Sequence, residues 1–314
     1  MNILPREKQI EAIAALTEGV SVRATERLTG VNRGTILSLG IRVGQGCANL
    51  HDGLMRDLNV GRIELDEAWS FIGKKQKMLT AEDSAEKGDC YIFLAIAGAA
   101  KAILSYRVGK RNQETTSAFV QDLRERVLGA PEISSDGWQS YPGAIEDAFG
   151  IDVTYGQIEK HYGVQGGVVE AARRYSPAQV VAVTKRRVIG RPKHISTSFI
   201  ERQNLTLRMQ QRRFTRLTNA FSKKLENHEA AVALYVAHYN LCRVHETLRI
   251  TPAMQLGVTD HIWSIGELVD AALNGELPAT PSPSPSPSPL PLPPPSPRIG
   301  REAGPFRVID GGKS

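Results

Sequence analysis

Residues 62–71 read RIELDEAWSF, and this alternation of apolar and polar side chains predicts a β-strand. A continuous apolar run, YIFLAIA at 91–97, predicts a second strand, and a third follows at 102–107 after a Gly-Ala turn. We expect these three strands to form an antiparallel meander.

The elements that follow the meander indicate the fold class. A helix is predicted over 113–128, a short strand over 132–135 and a helix over 139–149. Three hairpinned strands, a helix, a strand and another helix is the order of the ribonuclease H-like fold, an α/β sheet with helices on both faces. The remaining predicted elements are a strand over 179–187 and helices over 225–241 and 265–273.

The first 45 residues have a different pattern, in which short amphipathic segments surround a tight turn. We predict three short helices between Pro5 and Val43, the third of which begins after a turn at Gly30. This is the arrangement of a small all-α helix-turn-helix domain that binds DNA, followed by a connector over 46–59. Packing of three helices without DNA binding is the alternative. If the segment binds DNA, the exposed side of the third helix carries Arg33, Thr35, Ser38 and Arg42.

The charge of the chain is unevenly distributed. The net charge of the 314 residues is +6, but residues 171–249 contain 16 Lys or Arg against 4 Glu and no Asp, a local balance of +12. The rest of the chain therefore sums to −6. Concentrated basicity is typical of a protein that displaces counter-ions from nucleic acid, and a charged, solvated surface is the alternative.

Composition also limits the cellular compartment. The longest apolar run, 91–100, is too short to span a bilayer, and acidic residues follow the N-terminus too early for a signal peptide. Three cysteines without a CxxC pair suit a reducing compartment and argue against structural zinc. We therefore predict a cytoplasmic protein without a membrane partner.

A single acid, Glu201, lies in the arginine-rich segment 195–216, ISTSFIERQNLTLRMQQRRFTR. If the segment is a helix, Glu201 shares one face with Asn204, Arg208 and Arg212. A site that holds a metal ion with a carboxylate and phosphates with guanidinium groups would need this arrangement. A basic helix in which Glu201 makes only surface contacts is the alternative.

Asp66 lies near the end of the apolar section of the first predicted strand, and Asp136 lies just past the short strand at 132–135. In a ribonuclease H-like sheet the first and fourth strands are adjacent, so Asp66 and Asp136 would meet, and Glu201 would complete a triangle. Strand alternation predicts that Asp66 and Glu67 cannot both point into one site. Three carboxylates from separate segments are what two Mg²⁺ ions, or Mn²⁺, require in a site that cleaves phosphodiesters. Alternatively, each acid alone is a cap or a surface residue.

Five blocks between residues 50 and 254 are specific enough to compare with a known family: LHDGLMRDL, ELDEAWSFIGKKQK, SSDGWQSYPGAIEDAFG, PKHISTSFIERQNLTLRMQQRRFTRLTNAFSKKLENHEAAVALYVAHYN and RVHETLRITPAM. Together they resemble the transposases of the insertion sequence 1 family, which are DDE recombinases. The resemblance implies a ribonuclease H-like catalytic domain over 60–260, Mg²⁺-dependent cleavage at transposon ends and strand transfer into target DNA.

The resemblance also assigns residues and partners. Asp66, Asp136 and Glu201 would be the catalytic and metal-binding acids. The expected partner is double-stranded DNA, both as terminal inverted repeats and as target, and a homodimer or higher oligomer is expected because two ends must be paired. Contacts with DNA from the Glu201 segment are assigned to Asn204, Arg208, Arg212 and Arg213.

Several features differ from the family pattern. This chain has no cysteine-paired zinc finger before the helix-turn-helix, and the long spacing from Asp136 to Glu201 indicates an insertion at about 150–193. We expect a C-terminal helix within 261–278 and a disordered Pro/Ser-rich tail over 279–314.

The motif HYNLCRVHETLR resembles one that follows the catalytic helix in related enzymes. Its His245 would be an accessory group at the scissile phosphate or at a metal-bound water. Termination of the preceding helix is the alternative.

Three functions remain open from the sequence. The first is an active DDE transposase, the second a DNA-binding protein without catalysis that occupies the transposon ends, and the third a simple nuclease. The three acids favour an enzyme, and the helix-turn-helix and the basic helix argue against a nuclease that needs no specific ends.

Overall fold

The computed structural model of the chain describes residues 4–162, 180–215 and 218–275. The predicted Pro/Ser-rich tail and part of the predicted insertion lie outside these residues. The helices are α1 (Arg6–Thr17), α2 (Val22–Thr29), α3 (Arg33–Leu54), α4 (Gln113–Arg126), α5 (Tyr141–Phe149), α6 (Ser198–Gln210), α7 (Leu225–Ala237), α8 (Pro252–Gln255) and α9 (Ile265–Asn274). The strands are β1 (Arg62–Ile72), β2 (Gly88–Ala97), β3 (Ile103–Gly109), β4 (Glu132–Asp136), β5 (Thr154–Tyr162) and β6 (Val180–Ile189).

The described strands form one mixed sheet in the order β3-β2-β1-β4-β5-β6. The first three strands pair antiparallel, and β1 pairs parallel with β4. The predicted meander and the predicted adjacency of the first and fourth strands are therefore confirmed, and the protein is of the mixed α/β class.

The strand β5 is absent from the sequence-based prediction. Its sequence, TYGQIEKHY, alternates poorly and is rich in polar residues, so it lacks the usual signal of a buried strand. In the structure β5 pairs parallel with β4 and antiparallel with β6. The stretch that the sequence suggests to be an insertion thus contributes two strands to the same sheet.

Alternate residues of β2 divide the apolar core into two layers. Phe93 packs in the layer that contains residues of α3, α4 and α5. Its neighbours Ile92 and Leu94 pack in the other layer, with Ile200 and Leu207 of α6 and with residues of α7. This period of two is what a strand covered on both faces requires, and it places the helix of Glu201 against β1 and β2.

The third helix is longer than the sequence predicts. We expect a short recognition helix and then a connector over 46–59, but α3 continues without a break to Leu54. Gly44 and Gly46 explain the close packing of this half, because a Cβ at either position would overlap Ala230 of α7 or Ala272 of α9. Two glycines in a helix are unfavourable by propensity, and tertiary packing compensates for this here.

The helix of Glu201 is shorter than the sequence predicts. We expect one helix over 195–216, but α6 ends at Gln210 and a 3₁₀ turn follows at Arg212–Phe214. Arg212 therefore does not lie on the helix face of Glu201. Within the described residues, no helix is long and apolar enough to cross a membrane.

Candidate active site

Asp66 lies one residue beyond the last paired residues of β1 and β4, Leu65 and Ser135. One carboxylate oxygen, Oδ1, accepts the backbone N–H of Glu67 over 2.8 Å, and Oδ2 accepts a hydrogen bond from Nδ2 of Asn204 over 2.8 Å. Burial raises the pKa of Asp66 to about 7, and the charge of Asp136 adds to this effect.

Glu67 shares the site with Asp66, so the prediction from strand alternation is wrong. Asp66, Glu67 and Asp136 each offer one carboxylate oxygen, and these three oxygens lie within 4.8 Å of one another. The pairing of β1 with β4 stops at Leu65 and Ser135, so both of these β1 acids lie beyond the paired part of the two strands, and Arg111 contacts Glu67 and Asp136 together. Burial, followed by the charge of Asp136, raises the pKa of Glu67 to about 7.

Arg111 joins Glu67 to Asp136. Its Nε donates to Oε2 of Glu67 over 3.1 Å, and its Nη2 donates to Oδ2 of Asp136 over 3.2 Å. The guanidinium lies 4.2 Å from the ring of Trp138, whose backbone N–H donates to Oδ1 of Asp136 over 3.0 Å. Burial raises the pKa of Asp136, whereas the Trp138 N–H and the Arg111 charge lower it. Arg111 is thus a cation held between two carboxylates.

Glu201 lies in the first turn of α6 and forms an ion pair with Lys160 of β5. Its Oε1 also accepts a hydrogen bond from Oγ1 of Thr197 over 2.5 Å. Glu201 is close enough to raise the pKa of both Asp66 and Asp136, and all three line one cavity of about 790 Å³. Glu201 is nevertheless outside the group of three oxygens that lie within 4.8 Å of one another.

Glu64 fixes the beginning of α6 on β1. Its Oε2 accepts the backbone N–H groups of Phe199 over 2.7 Å and of Ile200 over 3.0 Å, which have no partner inside the helix. Burial raises the pKa of Glu64, and these two hydrogen bonds lower it. Glu64 therefore sets where Glu201 stands relative to Asp66.

Arg208 fixes the other end of α6. Its guanidinium donates to the carbonyl oxygen of Trp69 on β1 over 3.0 Å and to that of Phe214 over 3.4 Å. The sequence assigns Arg208 to DNA, but these contacts show that it also holds α6 against the sheet.

The other residues that the sequence assigns to DNA fall into two groups. Asn204 is buried and bonded to Asp66, and Nη1 of Arg213 donates to Oγ of Ser222 over 3.1 Å. Arg212 is exposed and lines a second cavity of about 790 Å³, which Asp66 and Glu201 also line. The four residues predicted on the third helix are all exposed on the first half of α3: Arg33, Thr35, Ser38 and Arg42.

His245 lies away from the carboxylates. It lines a separate cavity with Phe199, Arg202 and Thr206, which lie on the side of α6 opposite Glu201. The structure therefore does not bring His245 to the place that the sequence motif suggests.

Several residues of this site carry no signal in the sequence. Arg111 lies between a strand and a capped helix, Lys160 lies in the polar strand β5, and Glu64 is one of three acids on β1. Each acts through a partner that is distant along the chain, so spacing alone does not reveal it. A single Arg or Lys near predicted acidic residues is only a weak indication that the two will form an ion pair.

The acids fit a hard divalent cation. The candidate ligands are carboxylate oxygens, which Mg²⁺ and Mn²⁺ prefer. Oε1 of Glu67 is buried, and the side chain of Tyr141 is the hydrogen-bonding neighbour that lowers the pKa of this carboxyl. Burial, followed by repulsion from the carboxylate of Asp136, raises the pKa values of Asp66 and Glu67. A bound dication would offset this repulsion between the carboxylates.

The chain is similar to an insertion-element protein. It is 25% identical over 173 residues to the insertion element iso-IS1n protein InsB of Shigella dysenteriae, and the match covers 55% of this chain and 92% of that protein. The solved structure of the piggyBac transposase synaptic complex with hairpin DNA aligns with 68% of this chain at 11% identity and a TM-score of 0.31, and this chain spans about half of that one (51%). No protein-family model matches the chain.

Proposed function

We propose that this protein is a DNA transposase that cleaves phosphodiester bonds at the ends of an insertion element and joins them to target DNA. The observation that carries the proposal is that Asp66 and Asp136 lie side by side on two parallel neighbouring strands, each one residue past the point where the two strands stop pairing, with Glu201 on the wall of the same cavity. The order of strands supports a ribonuclease H-like catalytic domain, and the similarity to an insertion-element protein supports the transposase class.

In this proposal Asp66, Asp136 and Glu201 hold two divalent ions, Mg²⁺ or Mn²⁺, and Glu67 adds a carboxylate beside the two aspartates. Bound ions would supply Lewis-acid chemistry for in-line displacement at phosphorus. The chain itself holds the carboxylates in place, through Asn204 for Asp66 and through the two ends of α6 for Glu201.

Two cationic side chains of the protein form ion pairs with these carboxylates in this structure. Arg111 bridges Glu67 and Asp136, and Lys160 neutralises Glu201. Metal ions would compete with both cations for the same oxygen atoms, so we expect metal affinity to depend on Arg111 and Lys160 as well as on the acids.

Recognition of transposon ends is assigned to a helix-turn-helix formed by α2 and α3. The exposed Arg33 and Arg42 would contact phosphates or base edges in the major groove, and Arg212 would contact a phosphate near the carboxylates. A second protomer would hold the second end. We assign DNA binding to α1, α2 and the first half of α3, within residues 1–45, catalysis to residues 60–260 and a C-terminal helix to residues within 261–278.

One observation favours a second candidate, a DNA-binding protein without catalysis. Glu201 is paired with Lys160 and stands outside the cluster of Asp66, Glu67 and Asp136. A protein whose third acid is permanently neutralised would occupy DNA ends without cutting them.

The two candidates differ in one assay. The wild-type protein is incubated with Mg²⁺ and DNA that carries candidate terminal inverted repeats, and both binding and cleavage are measured. We expect cleavage in the wild type, and its loss with preserved binding in Asp136→Asn. Binding without cleavage in the wild type under Mg²⁺ and Mn²⁺ would favour the second candidate, and cleavage by Asp136→Asn at the wild-type rate would contradict the metal assignment.

A further inference from the structure

A cavity of about 490 Å³ lies on the side of α6 that faces away from the carboxylates. Its walls come from α6, from the turn between β2 and β3, and from the segment that follows α7. The residues that line it include Lys101, Phe199, Arg202, Tyr239, Arg243 and Glu246.

The charges of this cavity favour an anion. Lys101, Arg202 and Arg243 line the cavity together with one carboxylate, that of Glu246, and Lys101 also interacts with the charge of Glu64. Burial, followed by the charges of Lys101 and Arg243, lowers the pKa of His245. Even with Glu64 counted, three cations outnumber two carboxylates and leave the cavity positive.

Arg243 has a donor that the protein does not satisfy. Its Nη1 is buried, and no residue in the described part of the chain accepts a hydrogen bond from it. An unpaired donor on a charged group is costly, and a bound anion would accept its hydrogen bond. Arg202 is exposed at the same cavity.

Lys101 is held in an uncommon backbone conformation. Its φ is +57°, a left-handed value that is unfavourable for a residue with a side chain. The Tyr239 hydroxyl donates to the carbonyl oxygen of Lys101 over 2.8 Å, and the Lys101 ammonium group lies 2.9 Å from the centre of the Phe199 ring. Such strain persists only where the surroundings impose it, and it is enriched at ligand sites.

We propose that this cavity binds a backbone phosphate of DNA, on the side of α6 that faces away from the carboxylates. This inference rests on the proposed function, because it requires that DNA be bound at the carboxylates.

The test is the salt dependence of DNA binding by Arg202→Gln, by Arg243→Gln and by the double variant. Binding of a fluorescein-labelled duplex is measured by anisotropy over a range of NaCl concentrations. Losing the contact with one phosphate should lower the slope of log K against log [salt] by about 0.9, so the slope of the double variant should fall by about 0.9, and that of each single variant by up to as much. The control is Arg107→Gln, because Arg107 is exposed on β3 and does not line this cavity; its slope should equal that of the wild type.

Each outcome decides one of the two proposals. If the wild-type protein binds no DNA, the proposed function fails. If the wild type binds, and both Arg202→Gln and the double variant keep the wild-type slope, only this inference fails. Arg202→Gln alters an exposed side chain; if Arg243→Gln and the double variant do not fold, a wild-type slope in Arg202→Gln alone overturns the inference. A cavity specific for small anions would also overturn the inference: inorganic phosphate would then raise the melting temperature of the wild type but not of the double variant, with no change in the DNA slope.

Discussion

Oε2 of Glu64 accepts the backbone N–H of Phe199 over 2.7 Å, and this bond fastens the first turn of α6 to the strand that carries Asp66. The same oxygen accepts the N–H of Ile200. The position of Glu201 in the cavity is thus set by a buried carboxylate that itself need not touch DNA or metal.

Replacement of Glu64 tests this positioning role. Glu64→Ala leaves two buried N–H groups without an acceptor and should lower the free energy of unfolding by about 2–3 kcal/mol. Glu64→Gln keeps one acceptor oxygen and should cost less. Urea unfolding gives the stability, and cleavage relative to binding of end DNA gives the function. Equal stability of the wild type and Glu64→Ala would contradict the role of Glu64 in fixing the first turn of α6 on β1.

Glu67 should contribute to metal binding although the resemblance does not assign it. Glu67→Gln removes a charge from the cluster with Asp66 and Asp136, so we expect Mn²⁺ affinity to fall by about tenfold, roughly 1.4 kcal/mol. Isothermal titration of the metal-free protein measures this. The control is Glu82→Gln, an exposed acid outside the cluster, which should bind Mn²⁺ as the wild type does. Unchanged affinity in Glu67→Gln would exclude Glu67 as a ligand.

Arg111 should oppose the metal. Its guanidinium contacts Glu67 and Asp136, so Arg111→Ala removes both a competitor and a repelling charge. We expect Mn²⁺ to bind more tightly by about 1–2 kcal/mol, or about five- to thirtyfold. The melting temperature in EDTA should fall in the same variant, because two carboxylates lose their counter-charge. Weaker Mn²⁺ binding would contradict the competition.

The buried His228 predicts a dependence of stability on pH. Burial, followed by the charge of Arg213, lowers the pKa of His228 to about 3, and its ring lies between the hydroxyls of Ser70 and Ser222. Between about pH 6.5 and pH 3 the unfolded chain binds a proton at this histidine that the folded protein does not, so acid favours unfolding. The stability that the neutral, buried His228 contributes is fully present above the pKa of this histidine in the unfolded chain, and it is lost as the pH falls below that value.

The comparison with His228→Asn isolates this contribution from other titrating groups. We expect the wild type to lose stability relative to His228→Asn by about 1.4 kcal/mol for each pH unit below about 6. Denaturant unfolding of both proteins from pH 8 to pH 4 measures the difference. A difference that does not vary with pH would mean that His228 takes up a proton in the folded protein.

The sequence predicts the centre of the sheet well because its signals are local. The apolar run of β2 and the alternation of β1 identify strands directly, and Asp136 is recognisable as an acid at the end of β4 once that strand is known. The adjacency of β1 and β4 follows from the order of elements, so the meeting of Asp66 and Asp136 could be anticipated.

The sequence does not predict the surroundings of the acids, because these depend on distant partners. Glu64 and Phe199 are 135 residues apart, and Lys160 and Glu201 are 41 apart. Strand alternation also gives the wrong answer for Glu67, since that rule describes the interior of a sheet and not the point where a neighbouring strand ends. The sequence does not predict the full length of α3 for a related reason. Its glycines lower the predicted helix propensity, and only the structure shows that Gly44 and Gly46 allow close packing against α7 and α9.

If Glu201 completes a catalytic metal site with Asp66 and Asp136, the cleavage rate of Glu201→Gln on end DNA with Mg²⁺ must show it. We expect a loss of at least about a hundredfold with unchanged DNA binding, and a smaller loss in Glu67→Gln. Cleavage by Glu201→Gln at the wild-type rate would contradict this role of Glu201 and would assign the chemistry to Asp66, Glu67 and Asp136 alone.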